Sequence, residues 1–415
     1  GLPYETWLAE RIGGGGFALS GAGARQVLAA HRRDEHGDHL FLTNQMEQPA
    51  AITVTSALNG AWERWDPDTG SQWALETTAE AQGCSWSGTL APFESTFLVI
   101  NRDPAADRPP LEAPLARQAA TRQALIGPWQ FERRGPNALL LDMAIRPDPD
   151  CEGLEKGWQN DREGAWLPTQ DGRTEIKLDP DELPYFWLRA ELDLACLPVD
   201  LELVLDSRDY GEVFINGHPL NGGHAACIWD EGNWAYPLRE YVCRGRNLVV
   251  LRCRPSKYYA ERVRDNIIDP FDLEPVVVQG SFAVLQTHQG HPVVVPETGE
   301  IRLGAWEAQG YPAYCGTGVY RRTIDVPDTG GRRWLVLEDA RHVAEVEVNG
   351  QWAGARLWPP YEFELTEHLR PGRNEIVVRV TNGFGRLIRR SYLGLIEHEV
   401  LSGIIGRAYL LHSEA

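Results

Sequence analysis

The chain has 415 residues, more than one ordinary core holds, so two to four domains are expected. Its apolar share of 43% and charged share of 24% are those of a globular protein, and no apolar run is long enough to span a membrane. The formal charge of −19, with arginines scattered rather than clustered, argues against nucleic acid as a partner.

Seven cysteines, an odd number with no CxxC pair, argue against a zinc site or a dense disulfide framework, so mostly buried free thiols, with room for one bridge, are expected. The chain opens GLPYETW, without Met or a signal peptide, which leads us to expect a piece of a longer or processed protein, cytoplasmic or secreted. Residues 4–12, YETWLAERI, read as a short helix. Gly13–Gly16 follow, too flexible for a helix or strand, and lack the Lys-Ser/Thr of a phosphate cradle.

From Val27 the pattern is β. VLAAHRR and HLFLTN flank the turn DEHGD, AITVTSAL alternates, WERWDPDTG carries tight turns, and STFLVIN closes a small β domain over residues 1–103. Residues 104–121, rich in Pro and Ala, read as a linker. A second module, 122–287, returns to clean alternation at YFWLRAELDL. In VDLELVL, Val199, Leu201, Leu203 and Leu205 share one face, and Asp200 and Glu202 the other. A third module, 288–415, repeats the order of events.

The repetition is literal in places. YPLREYVCRGRN at Tyr236–Asn247 recurs 127 residues later as FELTEHLRPGRN at Phe363–Asn374, with Leu, Glu and Gly-Arg-Asn matching without a gap. Each copy follows a strand ending in Asn-Gly (Asn216-Gly217 and Asn349-Gly350), a dipeptide suited to a two-residue hairpin turn that needs positive φ at both positions. The phrase therefore reads as architecture: Leu docks a turn and Gly-Arg-Asn starts the next strand. The fold class expected is all-β, a small antiparallel sandwich followed by two jelly-roll sandwiches.

VEVNGQWAG, PPYEFELTEHLRPGRNEIVVRVTN and SGIIGRAYLL, in that order, resemble the β-sandwich sugar-binding domain of family 2 glycoside hydrolases and related galactose-binding-like modules. AAHRRDEHGDHLFLTN, WERWDPDTG, LAPFESTFLVINRD and LGAWEAQGYPAYCGTGVYRRTI resemble the C-terminal β region of rhamnosidase-type hydrolases, family 106 and relatives. The resemblance implies a preceding catalytic barrel as partner, with residues 1–25 a candidate remnant of it. It further implies that this chain lacks the catalytic carboxylates, and that carbohydrate, α-L-rhamnosides included, is the ligand class. The rival readings are a stand-alone carbohydrate-binding protein, a structural or partner-docking region, and an enzyme in its own right.

Candidate chemistry divides unevenly. Glycoside hydrolysis needs two carboxylates facing one sugar ring, and the adjacent Glu338-Asp339 pair sits at a strand end where solvation is the default, so no catalytic residue is assigned. His31, His224, His342 and His368 show no metal-ligand spacing, and GxSxG is absent. No cofactor is assigned with certainty. A structural Ca2+ of the kind galactose-binding-like modules hold would find hard oxygen ligands at Asp206 and Asp209. Fifteen tryptophans favour sugar stacking, since flat aromatic faces match the C–H faces of pyranose rings. His224, Trp229, Asp230, Asn233 and Trp234 fall in one long connection, and Arg356, Trp358 and Tyr361 in its equivalent one module later, which makes both clusters candidate carbohydrate contacts. The Trp62, Trp65 and Asp66 group reads as structural.

Overall fold

The computed structural model describes residues 16–413, apart from 59, 69, 82, 103–120, 171, 180–181, 255–270, 272, 288–290, 328–329 and 388–400. The expected short helix and nearly all of the expected linker lie outside these residues. The described residues are all-β as expected, with strands in several antiparallel sheets and helical geometry confined to single 3-10 turns such as Glu307–Gln309. They form two compact units. One comprises residues 1–125, 324–374 and 407–415; the other comprises 126–323 and 375–406.

In the first unit, the strands Phe17–Ser20, Ala50–Ser56, Gly83–Leu90 and Thr78–Glu80 make one sheet. Val27–Arg33, Gly37–Asn44, Ser95–Asn101, Ala61–Trp65 and Gln72–Ala74 make another. Alternation sends Leu40, Leu42, Ile52, Val54, Leu98 and Ile100 into a shared core closed by Trp62 and Trp86. The turn between Arg33 and Gly37 is held by Asp34, whose carboxylate accepts the amides of His36 and Gly37. Gly37 is obligatory by space, because a Cβ there would lie 2.4 Å from the Ile100 carbonyl oxygen. The same unit holds a four-stranded sheet, Thr121–Ala124, Ala408–Ser413, Arg332–Leu337 and Tyr361–Glu364, and the hairpin Val343–Val348 with Gln351–Arg356.

The second unit is built on a two-sheet sandwich. One sheet runs Asn137–Leu140, Val277–Gly280, Glu202–Leu205, Trp234–Pro237, His224–Ala225. The other centres on the long pair Tyr185–Leu194 and Gly245–Cys253, flanked by Ala144–Asp148 and Gly211–Ile215. Leu201, Leu203 and Leu205 point inward to meet Leu188, Leu192, Val249 and Leu251, as the alternation requires; Val199, before the strand, is exposed. The outer face of the long pair is not wet. Trp187, Phe214 and Val250 are covered by Trp158 and Trp166, and the Trp187 indole N–H donates to the buried Asp148 carboxylate at 2.8 Å.

Each unit contains one copy of the repeated phrase, and the two copies are built alike. Asn216 and Asn349 both sit at φ +51, followed by glycines at +83 and +79, so both hairpins turn in two residues. The side chain of Asn216 donates to Asn247 Oδ1 (3.0 Å) and the Tyr241 carbonyl (3.1 Å); Asn349 donates to Asn374 Oδ1 (2.8 Å) and the His368 carbonyl (3.0 Å). Asn247 in turn donates to the carbonyls of Cys243 and Gly245 and accepts the Cys243 amide; Asn374 does the same with Arg370 and Gly372. Both asparagines are buried. The phrase is a latch that ties the hairpin turn to the start of the following strand, at Gly245 and Gly372. Upstream, Leu238 donates its amide to the Leu201 carbonyl and Leu365 donates to that of Arg333. That equivalence places Asp200 and Glu202 of one copy against Arg332 and Trp334 of the other.

The cysteines correct one expectation. All seven are free, but only Cys253 is buried; Cys151, Cys227 and Cys243 are exposed, on loops that the sandwich cores do not cover.

Candidate functional site

The residues singled out from the sequence fall in both units. In the second unit, the connection from His224 to Trp234 is organised by Asn233. It is fully buried, and its Oδ1 accepts three successive backbone amides, those of Ile228, Trp229 and Asp230, at 3.0–3.1 Å. Its Nδ2 donates to the Asp206 carbonyl. Asn233 thus fills the nest of amides that its own loop creates, and its hydrogen-bonding capacity is spent on shape. Trp229 is half-buried, with its indole N–H on Asp206 Oδ1 at 3.2 Å. Trp234 carries the Arg208 guanidinium 5.2 Å from its ring centroid and packs on Gly223, where a Cβ would come within 2.0 Å of the indole nitrogen. Asp230 is exposed and caps the Gly232 amide. His224 is half exposed, 3.5 Å from the Glu202 carboxylate.

In the first unit, Arg356 places its guanidinium over the Phe363 ring, 4.0 Å from the Asp68 carboxylate. Asp68 is largely buried. Desolvation raises its pKa, against the opposing pull of Arg356. Tyr361 is buried, with its hydroxyl donated to the His342 carbonyl at 2.7 Å, and burial pushes its ionisation well above the ordinary tyrosine range. Trp358 is half-buried in the same connection. As for a cation site, Asp206 is tied to Trp229 while Asp209 is exposed, and among the described residues no three His, Cys, Asp or Glu side chains converge as a metal would require.

The site that sequence reasoning missed is a groove of about 680 Å3 in the second unit, within the size range of small-ligand pockets. Strand alternation builds it. The inward leucines of VDLELVL leave Asp200 and Glu202 on the outer face of their sheet, and the neighbouring strand supplies Gln279 and Ser281 in register, with Glu202 opposite Gln279. The facing wall comes from Trp129–Arg134, which presents Phe131, Glu132 and Arg133, and from Glu297, Gly299 and Tyr311. Glu297 is held beside the strand because the Phe131 amide donates to the Gly299 carbonyl.

The lining is pre-organised by its own bonds. Arg133 makes a bidentate pair with Glu297 (2.7 and 3.0 Å) and also donates to the Gly135 carbonyl. Its side chain is only 8% exposed, so this guanidinium is committed to the wall. The Tyr311 ring is buried beside them. Burial raises its ionisation far above the ordinary range, as do the charge and hydrogen bond of Glu297. Asp200 accepts the Ser281 amide and hydroxyl at 3.0 and 2.7 Å. Burial acts to raise its pKa, but the Ser281 bonds and the charge of Arg133 hold it below the ordinary carboxylate value, so Asp200 stays ionised. Glu202 accepts Gln279 Nε2 at 2.8 Å. Four carboxylates and one neutralised guanidinium make a surface rich in acceptors, with aromatic and proline edges beside it. Such a surface suits a ligand that donates many hydrogen bonds. The alternating pattern at 199–205 was the one sequence signal for it; the partners on 131–136 and 297–311 come from segments without clean periodicity.

No family model matches the chain. A β-galactosidase of Enterobacter cloacae is 34% identical over 103 residues, which is 23% of this chain and 9% of that protein. A rhamnosidase from Novosphingobium sp. PP1Y is similar in structure over 99% of this chain and 26% of its own, with a TM-score of 0.41 and 16% identity. An α-L-rhamnosidase of Streptomyces avermitilis complexed with L-rhamnose covers 95% of this chain and 38% of its own (TM-score 0.29, 13% identity). A family 2 β-galacturonidase from Eisenbergiella tayi covers 32% and 22% (TM-score 0.23, 23% identity). The chain thus spans a small part of the proteins it is similar to. Among the described residues no helix is long and apolar enough to cross a membrane.

Proposed function

We propose that this chain is a non-catalytic β-sandwich region of a glycoside hydrolase-related protein, in which it supports a catalytic barrel and contacts carbohydrate through the groove of the second unit. The observation that carries the reading is the groove itself: a ligand-sized cleft in which the Asp200 and Glu202 carboxylates are acceptors oriented by Ser281 and Gln279. A saccharide hydroxyl donating to a carboxylate gains a charge-assisted bond, each contributing about 1.5–3 kcal/mol before desolvation is subtracted. Several weak bonds of this kind on a pre-formed surface give the shallow affinity expected of an accessory site. The 103-residue similarity to a β-galactosidase supports the assignment to glycoside hydrolase-related proteins. In this reading three modules, 1–103, 122–287 and 288–415, follow one another, and the rhamnoside-type substrate belongs to the whole protein. His224 beside Glu202, and exposed Asp230 on the same loop, extend the contact surface; Trp229, Trp234, Arg356 and Trp358 shape their loops.

Isothermal titration of the chain with neutral oligosaccharides tests this. Millimolar or tighter binding that weakens about tenfold on Glu202→Ala is expected. The absence of heat with every neutral glycan, on a chain shown to be folded, would refute the carbohydrate reading.

A further inference from the structure

The groove carries a selectivity of its own. Its lining includes Glu132, Asp200, Glu202 and Glu297, and among the described residues Arg133 is the single cation lining it. That cation is not available to a ligand. Two of its nitrogens are bonded to Glu297, it donates again to the Gly135 carbonyl, and its side chain is buried. A ligand in the groove therefore meets the fields of Asp200, Glu202 and Glu132 with no free arginine or lysine among the described lining residues, and with His224 of the adjoining loop 3.5 Å from Glu202. The bonds from Ser281 and the charge of Arg133 hold the Asp200 carboxyl below its ordinary pKa against the opposing effect of burial.

The repeated frame shows that these acids are not imposed by the fold. At the equivalent positions the other copy carries Arg332 and Trp334, and there Arg332 forms two bonds to Glu364 (2.9 and 2.7 Å) and lies 5.0 Å from the Trp334 ring centroid. The same latch, with Leu335 and Leu337 inward where the groove's copy has Leu203 and Leu205, accepts a cation and an indole at the sites where the groove has two carboxylates. The acidic character of the groove is a property of that surface, separate from what the sandwich needs.

We propose that the groove selects neutral glycan units and excludes uronic acids, so that the region, on the reading above, holds uncharged stretches of a polysaccharide. A neutral sugar donates its hydroxyls to Glu202, Asp200 and Glu132. Replacing its hydroxymethyl group by a carboxylate sets like charges side by side in a partly desolvated cleft, which is a repulsive element of the kind that gives specificity.

The test is paired titration, by calorimetry or ligand-observed NMR, of gluco- and galacto-configured oligosaccharides against the matching glucuronate and galacturonate oligomers. The folded whole chain is used at 10 mM and 150 mM salt. We expect the neutral member of each pair to bind at least about tenfold tighter at 10 mM salt, and the gap to narrow at 150 mM as screening shortens from about 30 to 8 Å. In Glu132→Gln/Glu202→Gln, which removes two charges and leaves an acceptor opposite Gln279, neutral sugars lose charge-assisted bonds and weaken while the uronates lose less or gain, so the neutral-over-uronate ratio should fall at least about threefold. Uronates that bind as well as neutral sugars, or a gap indifferent to salt and to the double variant, would overturn the selectivity while leaving carbohydrate binding intact. Silence from both classes would remove the carbohydrate reading together with it.

Discussion

Replacing Asn374 with alanine tests the latch directly. The side chain makes four bonds: it accepts from the Arg370 amide (3.0 Å) and Asn349 Nδ2 (2.8 Å), and it donates to the carbonyls of Arg370 (2.7 Å) and Gly372 (2.8 Å). A net hydrogen bond contributes about 0.5–1.5 kcal/mol, and a buried donor left without a partner costs about 1–3. Arg370 and Gly372 are exposed residues, so their carbonyls can recover water, whereas Asn349 Nδ2 loses a buried acceptor and retains the His368 carbonyl. The sum is about 2–4 kcal/mol. Asn374→Asp is the sharper variant. It keeps the shape and the two accepted bonds but turns the donor toward the two carbonyls into an acceptor, so it should be no less damaging than alanine. Urea unfolding followed by tryptophan fluorescence gives the loss, and hydrogen exchange locates it, with faster exchange expected around residues 343–381. Asn247→Ala should do the same around residues 211–253. A loss below about 0.5 kcal/mol at either asparagine, or tolerance of Asn374→Asp, would refute the claim that the repeated phrase is a latch.

Other outcomes follow from the same geometry. Asp38 is buried; desolvation acts to raise its pKa, but bonds from Arg33, His31 and Arg102 at 2.6–2.9 Å outweigh this and hold it below 3.8. A depressed folded pKa contributes stability above the unfolded value that is lost as pH falls through the folded one, so Asp38→Asn should flatten the acid limb of the stability–pH profile below about pH 4. An unchanged limb would count against it. Asp68 has the opposite sign: its raised folded pKa means that stability falls as pH rises from 3.8 through the folded value. Asp68→Asn should therefore cost less at pH 7 than Arg356→Ala, which strands a buried carboxylate; equal costs across the double-mutant cycle would deny the coupling. Finally, Cys151, Cys227 and Cys243 should react with an aromatic disulfide reagent in the native chain, whereas Cys253, whose ionisation is suppressed by burial, should react only on unfolding. Native labelling of Cys253 would contradict the packing around it.

How far the fold could be read from the sequence follows from where the information is local. The Asn-Gly turns, the alternation of YFWLRAELDL and VDLELVL, and the doubled Gly-Arg-Asn phrase are short-range signals, and each corresponds to an element in place. The expectation of a docked leucine and a strand beginning at Gly-Arg-Asn holds at Leu238 and Leu365, both fully buried. What the sequence did not disclose is which polar side chains would be consumed. Nothing local distinguishes Asn233, which caps three amides of its own loop, from an asparagine offered to a ligand. Nor does anything local reveal that the Tyr361 hydroxyl is taken by the His342 carbonyl. The groove was hidden for a related reason. Its walls are contributed by positions 131–136, 200–202, 279–281 and 297–311, and only the sheet registers bring them together.

The two copies separate what a sandwich must conserve internally from what it is free to vary. Latch asparagines, hairpin turns at positive φ, and the inward pair Leu203 and Leu205 (Leu335 and Leu337 in the other copy) recur because each satisfies a fixed requirement: a paired polar group, an accessible dihedral, a filled core. The outward positions of the same strand obey no such requirement, and there the copies part, with Asp200 and Glu202 in one and Arg332 and Trp334 in the other. In the second copy those residues satisfy each other, the cation lying against the indole and bonded to Glu364. In the first, the carboxylates are oriented by Ser281 and Gln279 and still border an open cleft. The frame is used twice, with one outward face closed on itself and the other left as a cleft of oriented acceptors, on the side of the sandwich where the fold itself demands least.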